Sequence, residues 1–475
     1  MTFDVAVQRR FALLFLAALA AFAQTDELAR KSAQVRQLMG EGRFADAVPL
    51  CRDLVKALPD NAGLRLNLGL ALHMAGNPRE AIPEFERVLK AQPSNFPALL
   101  SLGTARLEMS EPAAAVAPLE KAIAVDPSHV NARGMLASAL ITVGRAREAA
   151  TQYRKLTTMT AGDPKAWHGL GRAYEALADQ AFQQLNKTAQ GSPEWLSLVA
   201  DSRVTHRQFR SAFYFYRQAL DRRADFRPAH EGLATVYRAT EHPDWAEAEA
   251  KKAAALAKPD CVRDKPACDF TAGRYLDATA GASLYWKIRA YSELARQAFS
   301  KLGELPESIE VHTLKADIAM NQGRFIEAAA EWRTAMKMAP GDPALEQQLA
   351  LALQQGGDYR ASLPLFEKML SAEPRSADLN FFVGEAHLRL EQPEQAAPFL
   401  ETAVRLNPKL APARASLGLA YMRIGKAAEA IPHLEAVLNA DDDGSLHFQL
   451  ARAYQATGAP EKAKAAMAQY QAIRK

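Results

Sequence analysis

The chain has 475 residues, 49% hydrophobic and 24% charged, with 58 basic side chains against 54 acidic ones and a net charge of +4. This composition supplies a core and excludes collagen-like and low-complexity classes. The near-balance of charge lacks the basic footprint of a duplex-DNA binder, so no nucleic-acid partner is expected.

At the N-terminus, Arg9 and Arg10 precede the apolar run FALLFLAALAAFA, which closes on Ala21-Phe22-Ala23. A basic stretch, a short apolar stretch and an A-x-A site are the parts of a secretory signal peptide. The run is short for a bilayer span. The expectation is a signal peptide over 1–23, cleavage after Ala23, and a chain in the periplasm or outside the cell with no transmembrane anchor left. No Cys follows the run, which argues against a lipoprotein.

Downstream, Pro59, Pro93 and Pro127 are 34 residues apart, as are Pro340, Pro374 and Pro408. Frames of that length share a pattern. A small residue stands eight positions in, as at Gly69, Gly103, Ala137, Ala316 and Gly384. A second follows twelve later, as at Ala81, Ala115, Ala149, Ala328 and Ala396, and a large one four after that, as at Phe85, Leu119, Tyr153, Trp332 and Leu400. Small residues let two helices cross closely, and the large one fills the layer between neighbouring hairpins. Gly76, Gly144, Gly323, Gly357, Gly425 and Gly458 mark the turns, and Pro stops the second helix. Abundant Ala and few β-branched runs also favour helix.

This pattern resembles the tetratricopeptide repeat. The family's W-x2-L-G-x2-Y is met by Trp167, Leu170, Gly171 and Tyr174, and the resemblance runs over nearly all of 28–475. It implies an all-α solenoid of stacked hairpins in a right-handed superhelix, the first helix of each pair lining a concave surface.

Two units fall short of 34 residues, at 164–192 and 281–308, and lack the part that holds the turn. They carry a shared phrase: RAYEALADQAF at 172–182 returns as RAYSELARQAF at 289–299, 117 residues on. Neither Gly nor Pro occurs between Arg172 and Gln190, or between Ser283 and Leu302, so each unit is expected to form one long helix. The match continues from Ala200-Asp201 to Ala316-Asp317, which suggests a duplicated helix-plus-hairpin module. The expected organisation is an N-terminal arm (24–163), an irregular centre (164–308) and a C-terminal arm (309–475), with a change of curvature at each lone helix.

Chemistry-bearing motifs are sparse. Cys261 and Cys268 flank VRDKPA and are expected to form a local disulfide, and Cys51 to be a buried free thiol. The His residues show no metal-ligand spacing, and no nucleophile elbow or phosphate loop is present. Asp441-Asp442-Asp443-Gly444 lacks the rest of a calcium loop and reads as a helix-capping turn. No metal, no cofactor and no enzymatic activity are expected.

Two binding surfaces stand out. Positions 5, 9 and 12 of each frame, on the expected concave face, are apolar: Leu66, Leu70, Leu100, Leu107 and Ile141 in the N-terminal arm, Phe381, Leu388, Leu419 and Met422 in the C-terminal arm. They suit an amphipathic helix or an extended apolar peptide. They depart from the Lys and Asn pattern of family members that clamp a C-terminal carboxylate. The second surface is HRQFRSAFYFYRQALDRRADFR, 206–227, where Tyr214 and Phe215 fall off the packing face among Arg222, Arg223 and other arginines. Either the lone helix covers these aromatics, or they form a patch for an acidic segment or anionic glycan. The expectation is a non-enzymatic scaffold of the cell envelope that binds protein segments, with a glycan-contacting envelope component as the alternative.

Overall fold

The structure is a computed structural model that describes residues 26–441 and 443–473. The expected signal peptide over 1–23 and its cleavage after Ala23 lie outside the described residues. Among the described residues there is no strand, and no helix is long and apolar enough to cross a membrane.

The described residues divide into two compact units, each made of two segments: 26–195 with 257–304, and 196–256 with 305–473. Residues of the segment 164–308 are therefore shared between them. Unit 1 begins with four hairpins: α1 (26–40) with α2 (Phe44–Ala57), α3 (Ala62–Met74) with α4 (Pro78–Ala91), α5 (Phe96–Glu108) with α6 (Pro112–Val125), and α7 (Val130–Thr142) with α8 (Ala146–Met159). The long α9 (Pro164–Ala189) follows. The next segment starts with α10 (Pro193–Thr205), α11 (Phe209–Arg222), α12 (Arg227–Ala239) and α13 (Pro243–Ala255). Unit 1 resumes with the short α14 (Lys265–Thr271) and α15 (Tyr275–Ala278) and the long α16 (Leu284–Gly303). Five hairpins of unit 2 complete the chain: α17 (Ile309–Asn321) with α18 (Phe325–Met338), α19 (Pro343–Gln355) with α20 (Tyr359–Ala372), α21 (Ala377–Arg389) with α22 (Pro393–Leu406), α23 (Ala411–Arg423) with α24 (Ala427–Glu435), and α25 (Ser445–Ala456) with α26 (Pro460–Ile473).

The hairpin follows from local chemistry. The last residue of many frames caps the next first helix: the Asn61 side chain accepts from Leu64 N–H at 3.1 Å, and Asn95 accepts from Ala98 N–H at 3.0 Å. Gly76, Gly144, Gly323, Gly357, Gly425 and Gly458 take positive φ at the inner turns. Where Gly is missing, Ser110, Arg207, Glu241 and Glu391 are forced to positive φ instead. The small positions are tightly used. A Cβ on Gly69 would lie 2.6 Å from the Phe85 ring, and one on Gly384 would lie 2.7 Å from Leu400.

A polar staple, not legible in the frame, joins the two helices of several hairpins. The fourth residue of a first helix meets the twenty-third of its frame: Arg65 with Glu84 at 2.8 Å, Arg133 with Gln152 at 2.6 Å, His230 with Glu249 at 2.6 Å, His312 with Glu331 at 2.6 Å. The same side chain often bonds a carbonyl six residues back, as Arg65 does to Pro59 and His230 to Ala224. These groups satisfy backbone acceptors at the junction between hairpins.

The two long helices are single helices, as their lack of Gly and Pro implied, and they pack on each other. Tyr174 stacks on Tyr291 with centroids 6.3 Å apart, and a Cβ on Gly171 would lie 2.3 Å from the Phe299 ring. The residue one turn before Tyr174 thus meets the residue two turns after Tyr291, so the pair is antiparallel. Tyr174 and Tyr291 are equivalent positions of the repeated phrase, so this one corresponding pair meets where the helices cross. Buried Ala173, Ala290, Ala295 and Ala298 permit the close approach.

Cys261 and Cys268 are bonded, with Cα atoms 5.6 Å apart, ahead of α14. Cys51 is a buried free cysteine, and burial pushes its thiol up to about 11. The Asp441 carboxylate accepts from Leu446 and His447 N–H at 3.1 and 2.8 Å, and Asp443 accepts from Ser445 N–H at 2.9 Å. This is capping of α25.

Candidate functional site

First helices of successive hairpins touch in both units: α3 with α5, α5 with α7 and α7 with α9 in unit 1, α21 with α23 and α23 with α25 in unit 2. Their side chains therefore form continuous faces. On the unit 1 face, Leu66 and Leu70 are half-buried against the core of the first hairpins, and Leu100, Leu107 and Ile141 against the next core. Each keeps part of its apolar surface open. In unit 2, Phe381, Leu419 and Met422 are half-buried in the same way. Leu388 is not on the open face, contrary to its frame position. It is 2% exposed and packs with Leu400 and Leu417, while Arg423 reaches over to donate to its carbonyl at 3.0 Å.

The aromatic and basic stretch lies on α11 of unit 2. Tyr216 is fully buried against the next hairpin, where a Cβ on Gly232 would come within 2.2 Å of its ring. Tyr214 is 59% exposed, and the half-buried Phe215 ring meets it edge-on at 5.7 Å. Arg207, Phe209, Arg210 and Tyr214 line an open recess of about 700 Å³. The Arg207 and Arg210 guanidinium groups form no hydrogen bond or ion pair with the described residues. Arg222 is exposed, and Arg223 lies 4.1 Å over the Phe226 ring. Thus Tyr214 and Arg222 are open to solvent, whereas Arg223 covers an aromatic ring of its own chain.

An aromatic cluster that the repeat frame does not show extends this surface. Phe213 contacts Tyr237 at 6.0 Å, Tyr237 meets Trp245 at 5.4 Å, and Trp245 stacks on His242 at 4.5 Å. Trp245 is 56% exposed. The sequence does carry a signal for it. Trp245 occupies a frame position held by Glu80, Glu148, Glu327 and Glu429 in other hairpins, where a large apolar residue has no packing role.

In unit 1, α8, α9 and α16 line an open pocket of about 540 Å³. Trp167, Leu170, Tyr174 and Leu294 form its apolar part, with Arg154 and Arg296 at the edge. Trp167 Nε1 donates to Ala161 O at 2.8 Å, which holds the indole in place. Burial raises the Tyr174 hydroxyl above its usual range, opposed by the nearby Arg154 charge. Three of the four family-motif residues, Trp167, Leu170 and Tyr174, thus line one cavity. Among the described residues no cluster of His, Cys, Asp and Glu could hold a metal ion.

Comparison with known proteins supports the repeat reading and adds no assignment of function. No curated protein matches the chain. Similar solved structures include the crystal structure of MamA protein, 21% identical over 42% of this chain and 92% of that one, with a TM-score of 0.30. A tetratricopeptide repeat protein from Parabacteroides merdae is 13% identical, covers 69% of this chain and 98% of that one, and has a TM-score of 0.33. A thermophilic TPR protein from Thermus thermophilus is 24% identical over 34% of this chain and 90% of that one, with a TM-score of 0.28. Scores below 0.5 leave the fold resting on the helix stack itself and on the repeat matches. One tetratricopeptide repeat family matches residues 38–106, 106–174 and 387–447, and a second such family matches 348–411. The chain contains tetratricopeptide repeats over 38–174 and 348–447, within an all-α stack of helical hairpins.

Proposed function

We propose that this protein is a non-enzymatic scaffold of the cell envelope that captures an amphipathic helix or extended apolar peptide on the first-helix face of unit 1. The observation that carries the reading is the row Leu66, Leu70, Leu100 and Leu107. These residues lie on touching first helices, and each is only half-buried. Tetratricopeptide repeats generally mediate protein–protein contacts, and an apolar row at helical spacing suits the i, i+3, i+4 anchors of a bound helix. The basic run before Ala21-Phe22-Ala23 motivates the envelope location.

A photo-crosslinking residue at position 70 or 107 tests this reading. The expected result is one dominant adduct, whose crosslinked segment then binds the purified protein as a synthetic peptide. Leu107→Glu should abolish that binding while leaving the helical circular dichroism unchanged. Adducts that scatter over many proteins, or a peptide that binds Leu107→Glu equally well, would remove the face from consideration. Fractionation of the producing cell checks the location, and retention of residues 1–23 in a cytosolic pool would refute export.

A second reading has its own observation, the exposed Tyr214 beside Arg207 and Arg210, neither of them ion-paired. An anionic glycan would be held there by charge and ring stacking. Binding of alginate that is salt-sensitive and lost in Arg207→Gln/Arg210→Gln and in Arg222→Glu/Arg223→Glu favours it. Salt-insensitive binding, or none, counts against it.

A further inference from the structure

The cavity on α8, α9 and α16 belongs to neither surface above. We propose that it is a binding site for a small anionic amphiphile, a carboxylate carried on an apolar or aromatic body. Its volume of about 540 Å³ lies in the range of small-molecule sites, and its mouth is open to solvent. It exists because α16, rather than the second helix of a regular hairpin, lies beside α9.

The lining selects charge as well as shape. Trp167, Leu170, Tyr174 and Leu294 supply flat and branched apolar walls, and no Asp or Glu among the described residues reaches the cavity. Three cations stand at its edge. Arg296 is neutralised by Glu293 at 2.6 Å and Lys301 by Glu304 at 2.8 Å. Arg154 has no such partner: its guanidinium makes no hydrogen bond or ion pair with the described residues. A ligand carboxylate offers Arg154 a charge-assisted pair, while its body replaces water against Trp167 and Leu294. The walls are already ordered, because Trp167 is bonded to the Ala161 carbonyl at 2.8 Å and Tyr174 stacks on Tyr291. Little side-chain freedom is left to lose on binding.

The test is isothermal titration calorimetry of the purified protein with decanoate and with 4-phenylbutyrate, each beside its neutral primary amide. Saturable binding of at least one acid is expected, about tenfold or more tighter than its amide. Binding of decanoate alone points to a lipid-derived ligand, and of 4-phenylbutyrate alone to an aromatic acid. Arg154→Gln, at an exposed position, should erase the preference for acid over amide without changing thermal unfolding. Leu294→Trp, which fills the cavity, should remove both. A quench of tryptophan fluorescence on binding should vanish in Trp167→Phe. The proposal is overturned if neither acid binds saturably, if acid and amide bind equally, or if Arg154→Gln leaves the acid affinity unchanged.

Discussion

At the scale of single residues, the inner turns are the most revealing feature. Where Gly holds the turn, positive φ costs little. Glu391 takes the same conformation at φ 62° with a Cβ present. Left-handed backbone costs a non-Gly residue on the order of 1–2 kcal/mol, so Glu391→Gly is expected to raise unfolding stability by about 1 kcal/mol in urea. A drop in stability would show that the Glu side chain has a compensating contact. The staple at Glu249 makes a pH-dependent contribution. Burial alone would raise its pKa, but hydrogen bonds and charge from Lys252 and His230 outweigh that and hold it below its usual 4.5. A carboxylate lowered in the folded state stabilises the fold above its unfolded pKa, and that stability is lost as pH falls through the folded value. The native protein should therefore lose stability below about pH 4.5, and Glu249→Gln should flatten part of that loss. Equal acid sensitivity of the two proteins in urea midpoints at pH 7 and pH 3.5 would exclude Glu249 as a contributor.

At the scale of elements, hairpins and long helices were legible to different degrees. The hairpins were legible because each partnership spans few residues. Gly69 and Phe85, or Gly384 and Leu400, lie in one frame and recur in the next. The pairing of α9 with α16 was not legible. The repeated phrase suggested two copies of one module, each breaking the helix alternation by itself. Instead each copy is the other's partner, with Tyr174 on Tyr291. A helix missing its hairpin mate still has an apolar face to bury, and the duplicate carries a matching one. Gly171→Ala places a methyl group against Phe299 and is expected to cost about 2 kcal/mol of unit 1 stability in chemical denaturation. No loss would mean that Phe299 can swing aside. Pro at the sixth position of α4, α20 and α22 (Pro83, Pro364, Pro398) would be read locally as a helix breaker, yet these helices continue through it. All three prolines are exposed, so the missing bond lies on the solvent side, where a helix can bend around its core.

At the scale of the whole molecule, stability in a solenoid comes from neighbours, and each unit draws on its own stack. Phe85 and Phe366 are both fully buried at equivalent frame positions, one in each unit. Phe85→Ala and Phe366→Ala are each expected to cost about 3–5 kcal/mol locally and to lower different parts of the thermal transition, followed by calorimetry. A single transition shifted alike by both would show that the units unfold as one. The sequence alone determined the all-α repeat architecture, the inner turns, the capping turn at 441–444, the two long helices and the Cys261–Cys268 pair, because each is set by contacts within about one frame. Only the tertiary structure decided which long helix meets which, that Leu388 is buried, that Tyr214 is exposed, and that Trp167, Leu170 and Tyr174 line a pocket with α16. Those outcomes depend on residues far apart in the chain, and no local period records them.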